Sequence, residues 1–399
     1  MKNFHILFIY SIFTVLLNVT GCSSGGGDGT PATQPVITQP LTYSGNSDPA
    51  VITLANTPTL VVNVLYGGST ASGIPTGVST SVDQAQPGNV AVIAESLSSL
   101  FHYSMDNYFG NAISGYNVPL AFTINETVYC DSGYFTLNGT LDDYTGTGTI
   151  AVSYVNCVLD GITYNGDGSM YVNYIDYYSF NATMDFPLLT MSSPDFSGSM
   201  SGSMTIDDSI YGNQFIETMT MNFVAKDDGS NKMYKFENYV MALTINDIYA
   251  YDSSASIRYS GTVYDSIHGS VTVDTIFPLS FSSYMNTDPD SGGPLIFTGN
   301  NSSIQLTVES GRHVLMELDR DGDLIYEIER YVLWKEIDDH TKLDLADSDD
   351  DAMHNSWESM FGLNPNIDDA GDNLDGDGLT NWEEYQQGYD PGDPFSPTP

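Results

Sequence analysis

The chain has 399 residues, with 51 acidic against 10 basic side chains and a formal net charge of -41. This length allows two or three domains, or one large β domain with smaller attachments. The negative charge excludes nucleic acid and anionic membrane surfaces as electrostatic partners, because their phosphates would be repelled. Much of the acidic excess lies near the C-terminus, which is typical of a segment that binds cations or is highly solvated.

The first residues have the features of an export signal. Lys2 precedes an apolar stretch from Phe4 to Leu17, which is shorter than the roughly 20 residues that a membrane-spanning helix needs. The motif VTGC, which ends at Cys22, resembles the lipobox of bacterial lipoproteins. The resemblance implies that residues 1–21 are a signal peptide, that Cys22 is lipidated, and that this anchor holds the protein at the outer membrane, on a face that the sequence leaves open. An ordinary signal peptide with a chance cysteine is the alternative.

Residues 22–49 are rich in Gly, Ser, Thr and Pro, which predicts a flexible tether. The run LVVNVLYG, Leu60 to Gly67, is typical of a short strand. Downstream, apolar residues recur every three or four positions in NVAVIAESLSSLFHYSMDNYFG. This spacing predicts one amphipathic helix near residues 89–109.

A Tyr-rich β domain is predicted over residues 50–316. Between about Leu120 and Phe281, short runs of aromatic, β-branched and Met residues alternate with small or polar ones and are separated by turn residues. This pattern predicts a mainly β fold: a large antiparallel sheet or sandwich with one buried and one wet face, plus one N-terminal amphipathic helix. The 27 Tyr and 18 Phe leave two roles open, core packing or an aromatic sheet face that binds a glycan or a protein.

Two cysteines remain after Cys22. Cys130 and Cys157 form an even pair in a chain with an export signal, for which a disulfide is the default. Both lie in strand-like segments. We therefore expect them to be bonded on neighbouring strands, with their Cα atoms about 4.4–6.8 Å apart.

The acidic C-terminal region contains an internal repeat. When the chain is shifted by 26 residues, DSDDDAMHNSWESMFGLNP (347–365) lies over NLDGDGLTNWEEYQQGYDP (373–391), and six of the nineteen positions are identical. Side-chain oxygens fall at positions 1, 3, 5, 9 and 12 of each copy. A tight loop of this kind directs alternate side chains to one centre, adds the carbonyl of position 7 and closes with a carboxylate from the next helix. Such a set of hard oxygens suits Ca²⁺ better than Mg²⁺.

The repeat resembles the EF-hand-like, thrombospondin type 3 calcium repeats of exported bacterial proteins, and it defines a module over residues 344–399. Two departures imply weaker affinity: Ala352 replaces the usual turn glycine, and Asn373 is neutral where Asp is commoner. An acidic disordered tail is the alternative, although Trp357 and Trp382 are unusual in such tails. The ligands implied by the resemblance are Asp347, Asp349, Asp351, the Met353 carbonyl, Asn355 and Glu358 in the first loop, and Asn373, Asp375, Asp377, the Leu379 carbonyl, Asn381 and Glu384 in the second.

A third acidic segment, ELDRDGDLIYEIE, lies in the connecting region 317–343. Asp319, Asp321 and Asp323 alternate as in the repeats and Glu327 follows, but Leu324 occupies the turn position. A β-hairpin that turns at Asp321 and Gly322 explains the same residues. The metal site and the bare hairpin stay open at this point.

No metalloprotease, nucleophile-elbow, phosphate-loop or dinucleotide motif occurs in the sequence. We therefore expect a non-enzymatic lipoprotein of the cell envelope or cell surface that binds calcium in a structural or adhesive role. A glycan- or protein-binding module is the first alternative. An exported hydrolase that uses paired carboxylates is the second.

Overall fold

The protein is built around one large antiparallel sheet, as a computed structural model shows. The structure describes residues 39–72, 122–142, 145–159, 161–175, 179–194, 196–250, 253–283, 289–310, 313–338 and 343–395. Within these residues the sheet has 15 strands, and short helices follow it. The predicted fold class, mainly β with a large antiparallel sheet and a small helical C-terminal part, is confirmed.

The strands of the described residues follow one another with short connections. In chain order they are β1 (Phe122–Tyr129), β2 (Ser132–Leu141), β3 (Gly148–Leu159), β4 (Ile162–Ile175), β5 (Ser179–Ser192), β6 (Ser197–Tyr211), β7 (Gln214–Asp227), β8 (Met233–Ile245), β9 (Ala255–Asp265), β10 (Gly269–Thr275), β11 (Leu279–Phe281), β12 (Gly292–Thr298), β13 (Ser303–Ser310), β14 (His313–Asp319) and β15 (Ile328–Leu333). Sheet order equals chain order from β1 to β10 and continues with β12 to β15, while β11 pairs with β9.

One face of this sheet forms the core. Along β5, for example, Ala182 and Met184 are buried, whereas Thr183 between them is half-buried on the other face, because successive side chains of a strand point to opposite faces. Most buried apolar side chains of the strands belong to one hydrophobic cluster, which also includes Ala50 and Ile52. The predicted division into one buried and one wetter face is therefore present across the whole sheet.

The segment predicted as a short strand, Leu60 to Gly67, is instead part of helix α1 (Thr57–Ser72). Val61 and Val62 are adjacent in the chain and both are buried, so the run lacks the alternation of a strand. The helix lies on the sheet core, where its Val64 carbonyl accepts a 2.9 Å hydrogen bond from Tyr239 Oη. A short apolar run does not distinguish a buried helix from a buried strand. The helix predicted near residues 89–109 lies outside the described residues.

Among the described helices, none is long and apolar enough to cross a membrane.

The last part of the predicted tether, from residue 39 onward, lies along the sheet. The Leu41 N–H donates to Ser201 Oγ at 2.8 Å, and the Asn46 N–H donates to the Ser266 carbonyl at 3.0 Å. Pro49 forms a parallel bridge with Ser270. This part of the range is therefore fixed to the sheet, and the residues before it, including Cys22, lie outside the described residues.

Cys130 and Cys157 form a disulfide with Cα atoms 5.4 Å apart, which confirms the predicted bond. Their placement differs from the expectation in one respect. Cys157 is buried in β3, but Cys130 lies in the turn between β1 and β2. The disulfide therefore links the β1–β2 turn to β3 across the end of β2.

After the sheet, the described residues form three short helices: α2 (Trp334–Asp338), α3 (Asn355–Phe361) and α4 (Asn381–Gln387). Before them, β14 and β15 form the hairpin expected around Asp321 and Gly322. A second, smaller hydrophobic cluster joins Leu333 at the end of β15 to Met353, Trp357 and Tyr385. The acidic repeats are thus folded, with a core that includes the last strand of the sheet.

Candidate metal centre

The two predicted loops have matching backbones. The residues at positions 4 and 6 are left-handed in both, with φ 62° at Asp350 and 75° at Ala352 in the first loop, and 82° at Gly376 and 115° at Gly378 in the second. Gly adopts this conformation at little cost, whereas other residues do so at an energetic penalty. The loop without glycines therefore keeps the fold of the loop with glycines.

The carboxylate at position 5 shapes each loop in the same way. Asp351 accepts the Met353 N–H at 2.9 Å, and Asp377 accepts the Leu379 N–H at 2.8 Å. One oxygen of each carboxylate is used in this bond. The other oxygen of each is buried and lacks a hydrogen-bond partner.

Each loop leads directly into a capped helix. The α3 helix begins after His354, whose Nδ1 accepts the Trp357 N–H, and α4 begins after Thr380 in a capping box with Glu383. Both helices end at a left-handed glycine, Gly362 and Gly388 respectively. The caps explain why glycine recurs at these positions, since a left-handed residue commonly ends a helix.

The two repeated asparagines bond the backbone of their own loops. The side-chain oxygen of Asn355 accepts the Ser348 N–H at 3.1 Å, and that of Asn381 accepts the Leu374 N–H at 3.2 Å. Both asparagines therefore close their loops by bonding the backbone of position 2. That the same oxygens also ligate a cation stays a prediction.

Carboxylates converge at the centre of both loops. Asp347, Asp349 and Asp351 form one group whose oxygens lie within 4.8 Å of one another, and Asp375, Asp377 and Glu384 form another. Glu358 and Glu384 are 0% exposed. Among the described residues, most buried carboxylate oxygens without a hydrogen-bond partner lie here: both oxygens of Asp349, Glu358 and Glu384, and one each of Asp351, Asp369, Asp375 and Asp377.

Asp369 belongs to the first site although the repeat did not indicate it. It groups with Asp351 and Glu358 within the same 4.8 Å limit, and its Oδ1 is buried and unpartnered. Asp369 lies in the segment between the two repeats, and its counterpart 26 residues earlier is Leu343. A comparison of the two copies therefore could not reveal it, and only the paired acids Asp368 and Asp369 were a signal.

The ionised forms of Glu358 and Glu384, the last acid of each loop, are electrostatically unfavourable in this arrangement. Burial, together with repulsion from Asp349, Asp351, Asp369 and Asp347, raises the pKa of Glu358 to about 8. Burial and the neighbouring acids of the second loop raise the pKa of Glu384 to about 7. Crowded carboxylates raise one another's pKa because like charges disfavour ionisation, and a cation between them reverses this effect.

The turn between β14 and β15 repeats the same loop backbone a third time. Gly322 and Leu324 are left-handed, with φ 79° and 68°, and Asp319, Asp321, Asp323 and Glu327 group within 4.8 Å. However, Asp319 Oδ1 accepts the Gly322 N–H and Asp319 Oδ2 accepts the Leu324 N–H. Both oxygens of Asp319 are thus engaged by the turn, and no acid of this cluster has a buried oxygen without a hydrogen-bond partner, in contrast to the two repeated loops.

The left-handed Ala352 leads to a prediction about stability. We expect Ala352→Gly to raise the free energy of unfolding by about 1 kcal/mol, because glycine removes the penalty of this φ, which exceeds the entropy that it adds to the unfolded chain. Denaturant unfolding of the full chain measures this change. The reverse change, Gly378→Ala, is the matched control: a Cβ there meets no atom within 4 Å, so the expected loss reports backbone conformation alone. A stabilising effect of Gly378→Ala would contradict this account.

The alternative functions have less support in the described residues. Two exposed aromatic residues, Tyr171 and Tyr174, lie within β4. The others lie at strand ends or outside the strands: Tyr129, Tyr211, Tyr249, Phe277 and Phe395. The exposed aromatics thus do not gather on one face of the described strands. Ser356, His354 and Glu336 are hydrogen-bonded neighbours, but His354 is fully buried as a helix cap, which favours a structural role over hydrolysis.

Comparisons of the chain with protein-family models, with curated proteins and with solved structures found no match. The observations that indicate a metal centre are therefore the chain's own carboxylates and the way the fold brings them together.

Proposed function

We propose that the C-terminal module binds calcium in its two repeated loops and that these cations stabilise its fold. One observation carries the proposal: Glu358 and Glu384 are fully buried, both oxygens of each lack a hydrogen-bond partner, and each faces other carboxylates. Burying an ionised carboxylate without a partner is costly. A bound cation supplies the missing partner.

The donor set favours Ca²⁺ over other common cations. The convergent groups are carboxylates, and no His or Cys belongs to the described clusters, which disfavours zinc-type sites. Calcium accepts six to eight oxygens in irregular geometry, whereas Mg²⁺ prefers a strict octahedron and keeps its waters. The first cation would be held by Asp347, Asp349, Asp351, Glu358 and Asp369, and the second by Asp375, Asp377 and Glu384. The Met353 and Leu379 carbonyls are the backbone ligands that the resemblance implies.

A structural role fits the size of the module. Its helices α3 and α4 have seven residues each, and helices this short are unstable alone. Cations that neutralise the loops would let α3 and α4 pack through Trp357 and Tyr385, whose ring centroids lie 5.0 Å apart. Lipidation at Cys22 and an outer-membrane location stay predictions, because Cys22 lies outside the described residues.

Calorimetric titration of the full chain with calcium tests the proposal. We expect saturable uptake, and at a hundredfold excess over Kd a stabilisation of about 2.7 kcal/mol in thermal unfolding. Glu384→Gln should weaken one class of site at least about tenfold, because it removes a buried anionic ligand. Asp393→Asn is the matched control, since Asp393 is exposed in the same module and outside the clusters.

Two outcomes would overturn the proposal. One is the absence of calcium uptake at millimolar concentration. The other is an equal loss of calcium affinity in Glu384→Gln and Asp393→Asn, which would mean that the affinity depends only on the net charge of the module.

A further inference from the structure

We propose that cation loading of the C-terminal module controls whether the outer edge of β15 is covered. The inference rests on the proposed calcium sites and assigns them a task within the fold. A strand at the end of a sheet presents unpaired N–H and C=O groups, and proteins protect such edges by covering them. Among the described strands, β15 pairs only with β14, so its other side is an edge.

Side chains cover this edge. The outward Tyr331 N–H donates to Tyr385 Oη at 2.9 Å, and the Tyr331 carbonyl lies 3.1 Å from His354 Nε2. Because His354 Nδ1 accepts the Trp357 N–H, its Nε2 carries the proton and donates to that carbonyl. Both backbone groups of Tyr331 are thus bonded to the module.

Aromatic packing around Tyr385 stabilises these two hydrogen bonds. The Tyr385 ring packs edge-on against Tyr331 at 5.7 Å between centroids, against His354 at 5.5 Å and against Trp357 at 5.0 Å. Tyr385 is 1% exposed. Its hydroxyl therefore reaches β15 only when α4 is packed in its observed position.

The groups that cover the edge are neighbours of the predicted metal ligands. Tyr385 directly follows Glu384 in α4, and His354 caps the helix that contains Glu358. Without a cation, the carboxylates of the second loop repel Glu384 and push α4 away from them. Displacement of α4 breaks the bond between Tyr385 and the Tyr331 N–H.

Two other contacts of β15 do not depend on the second loop. The Leu333 N–H donates to Glu336 Oε2 at 3.0 Å, and Glu336 belongs to α2, which precedes the repeats. Arg330 Nε donates to the Leu345 carbonyl at 3.1 Å, and its guanidinium lies 3.5 Å from Asp347. Removal of calcium should therefore uncover Tyr331 more than Leu333.

Hydrogen exchange of the full chain, resolved to single amides, tests the inference with calcium and with a calcium chelator. We expect the Tyr331 amide to exchange at least about tenfold faster in chelator, and the Leu333 amide to change less. In the presence of calcium, Glu384→Gln should also make the Tyr331 amide exchange faster. Tyr385→Phe should release the Tyr331 amide even in calcium, while calorimetric calcium uptake persists.

Tyr326→Phe is the matched control for Tyr385→Phe, because it also removes one tyrosine hydroxyl. Tyr326 Oη donates to Gln305 Oε1 on the sheet side of the hairpin, so its loss should leave the Tyr331 amide unchanged. Calcium uptake with unchanged Tyr331 exchange would overturn this inference and leave the proposed calcium sites intact. Absence of calcium uptake would overturn the proposed function and the inference with it.

Discussion

We expect the stability of the native chain to fall as pH rises from about 4 to above 7, and we expect Glu217→Gln to remove the part of this fall that Glu217 contributes. Glu217 in β7 is 2% exposed and lies directly opposite Asp208 in β6. The neighbouring cross-strand pairs on the same face are apolar, Ile206 with Met219 on one side and Ile210 with Phe215 on the other. One oxygen of each acid, Asp208 Oδ1 and Glu217 Oε1, is buried without a hydrogen-bond partner. The core face of the sheet thus contains an acid pair within an apolar region.

The sign of the effect follows from the shifted pKa values. Burial, followed by repulsion from Asp207, raises the pKa of Asp208 to about 7, and burial and Asp208 raise the pKa of Glu217 above its ordinary range. Between an unfolded pKa of about 4 and these folded values, the native state holds protons that the unfolded state has lost. Raising the pH therefore favours unfolding, by about 1.4 kcal/mol for each unit of pKa difference. The stabilisation is complete below pH 4 and is lost as pH rises through the folded pKa values.

Denaturant unfolding of both chains across this pH range measures the effect. Glu237→Gln is the control with the opposite sign: Glu237 lies on the neighbouring strand β8, and hydrogen bonds from Lys235 and Tyr264 lower its pKa. Replacing Glu237 should not reduce the fall in the free energy of unfolding with rising pH. Parallel profiles for the native chain and Glu217→Gln would show that the acid pair does not titrate with folding.

Loss of the disulfide is the second large effect that we expect. The bond closes a loop between residues 27 apart in sequence, and on the chain-entropy estimate it contributes roughly 3.5 kcal/mol. The double variant Cys130→Ala/Cys157→Ala should lower the free energy of unfolding by about this amount. Alanine is chosen because Cys157 is fully buried, where a serine hydroxyl would need a partner.

A reductant supplies the control for the disulfide. It should lower the denaturation midpoint of the native chain to about that of the double variant, and it should leave the double variant unchanged. If the native chain and the double variant unfold at the same denaturant concentration without reductant, the bond does not contribute to stability.

The features predicted from sequence were those with a local cause. Alternation of apolar and polar residues predicted the antiparallel sheet, and the even cysteine pair predicted the disulfide. The 26-residue repeat identified loops that the structure does build alike. Gly362 and Gly388 occupy the same position in the two copies, and their left-handed φ values show that each ends a helix.

The features that were missed depend on contacts between distant residues. The segment predicted as a strand is helical, and its residues Leu60 to Leu65 are all buried, which a short apolar run does not reveal. Asp369 joins the first site from outside the repeat. Asp208 and Glu217 could not be identified as a pair among 51 acidic residues, since only the register of β6 on β7 places them opposite each other.

The strand order of the sheet has a consequence for how the chain folds. Because β1 to β10 pair mainly with their neighbours in sequence, most pairings close short loops, and contacts that are local in sequence form quickly. Each strand can add to the one before it as soon as it emerges, without waiting for a distant part of the chain. We therefore expect a chain delivered from its N-terminus to extend its sheet in the order of delivery, with β15 joining last.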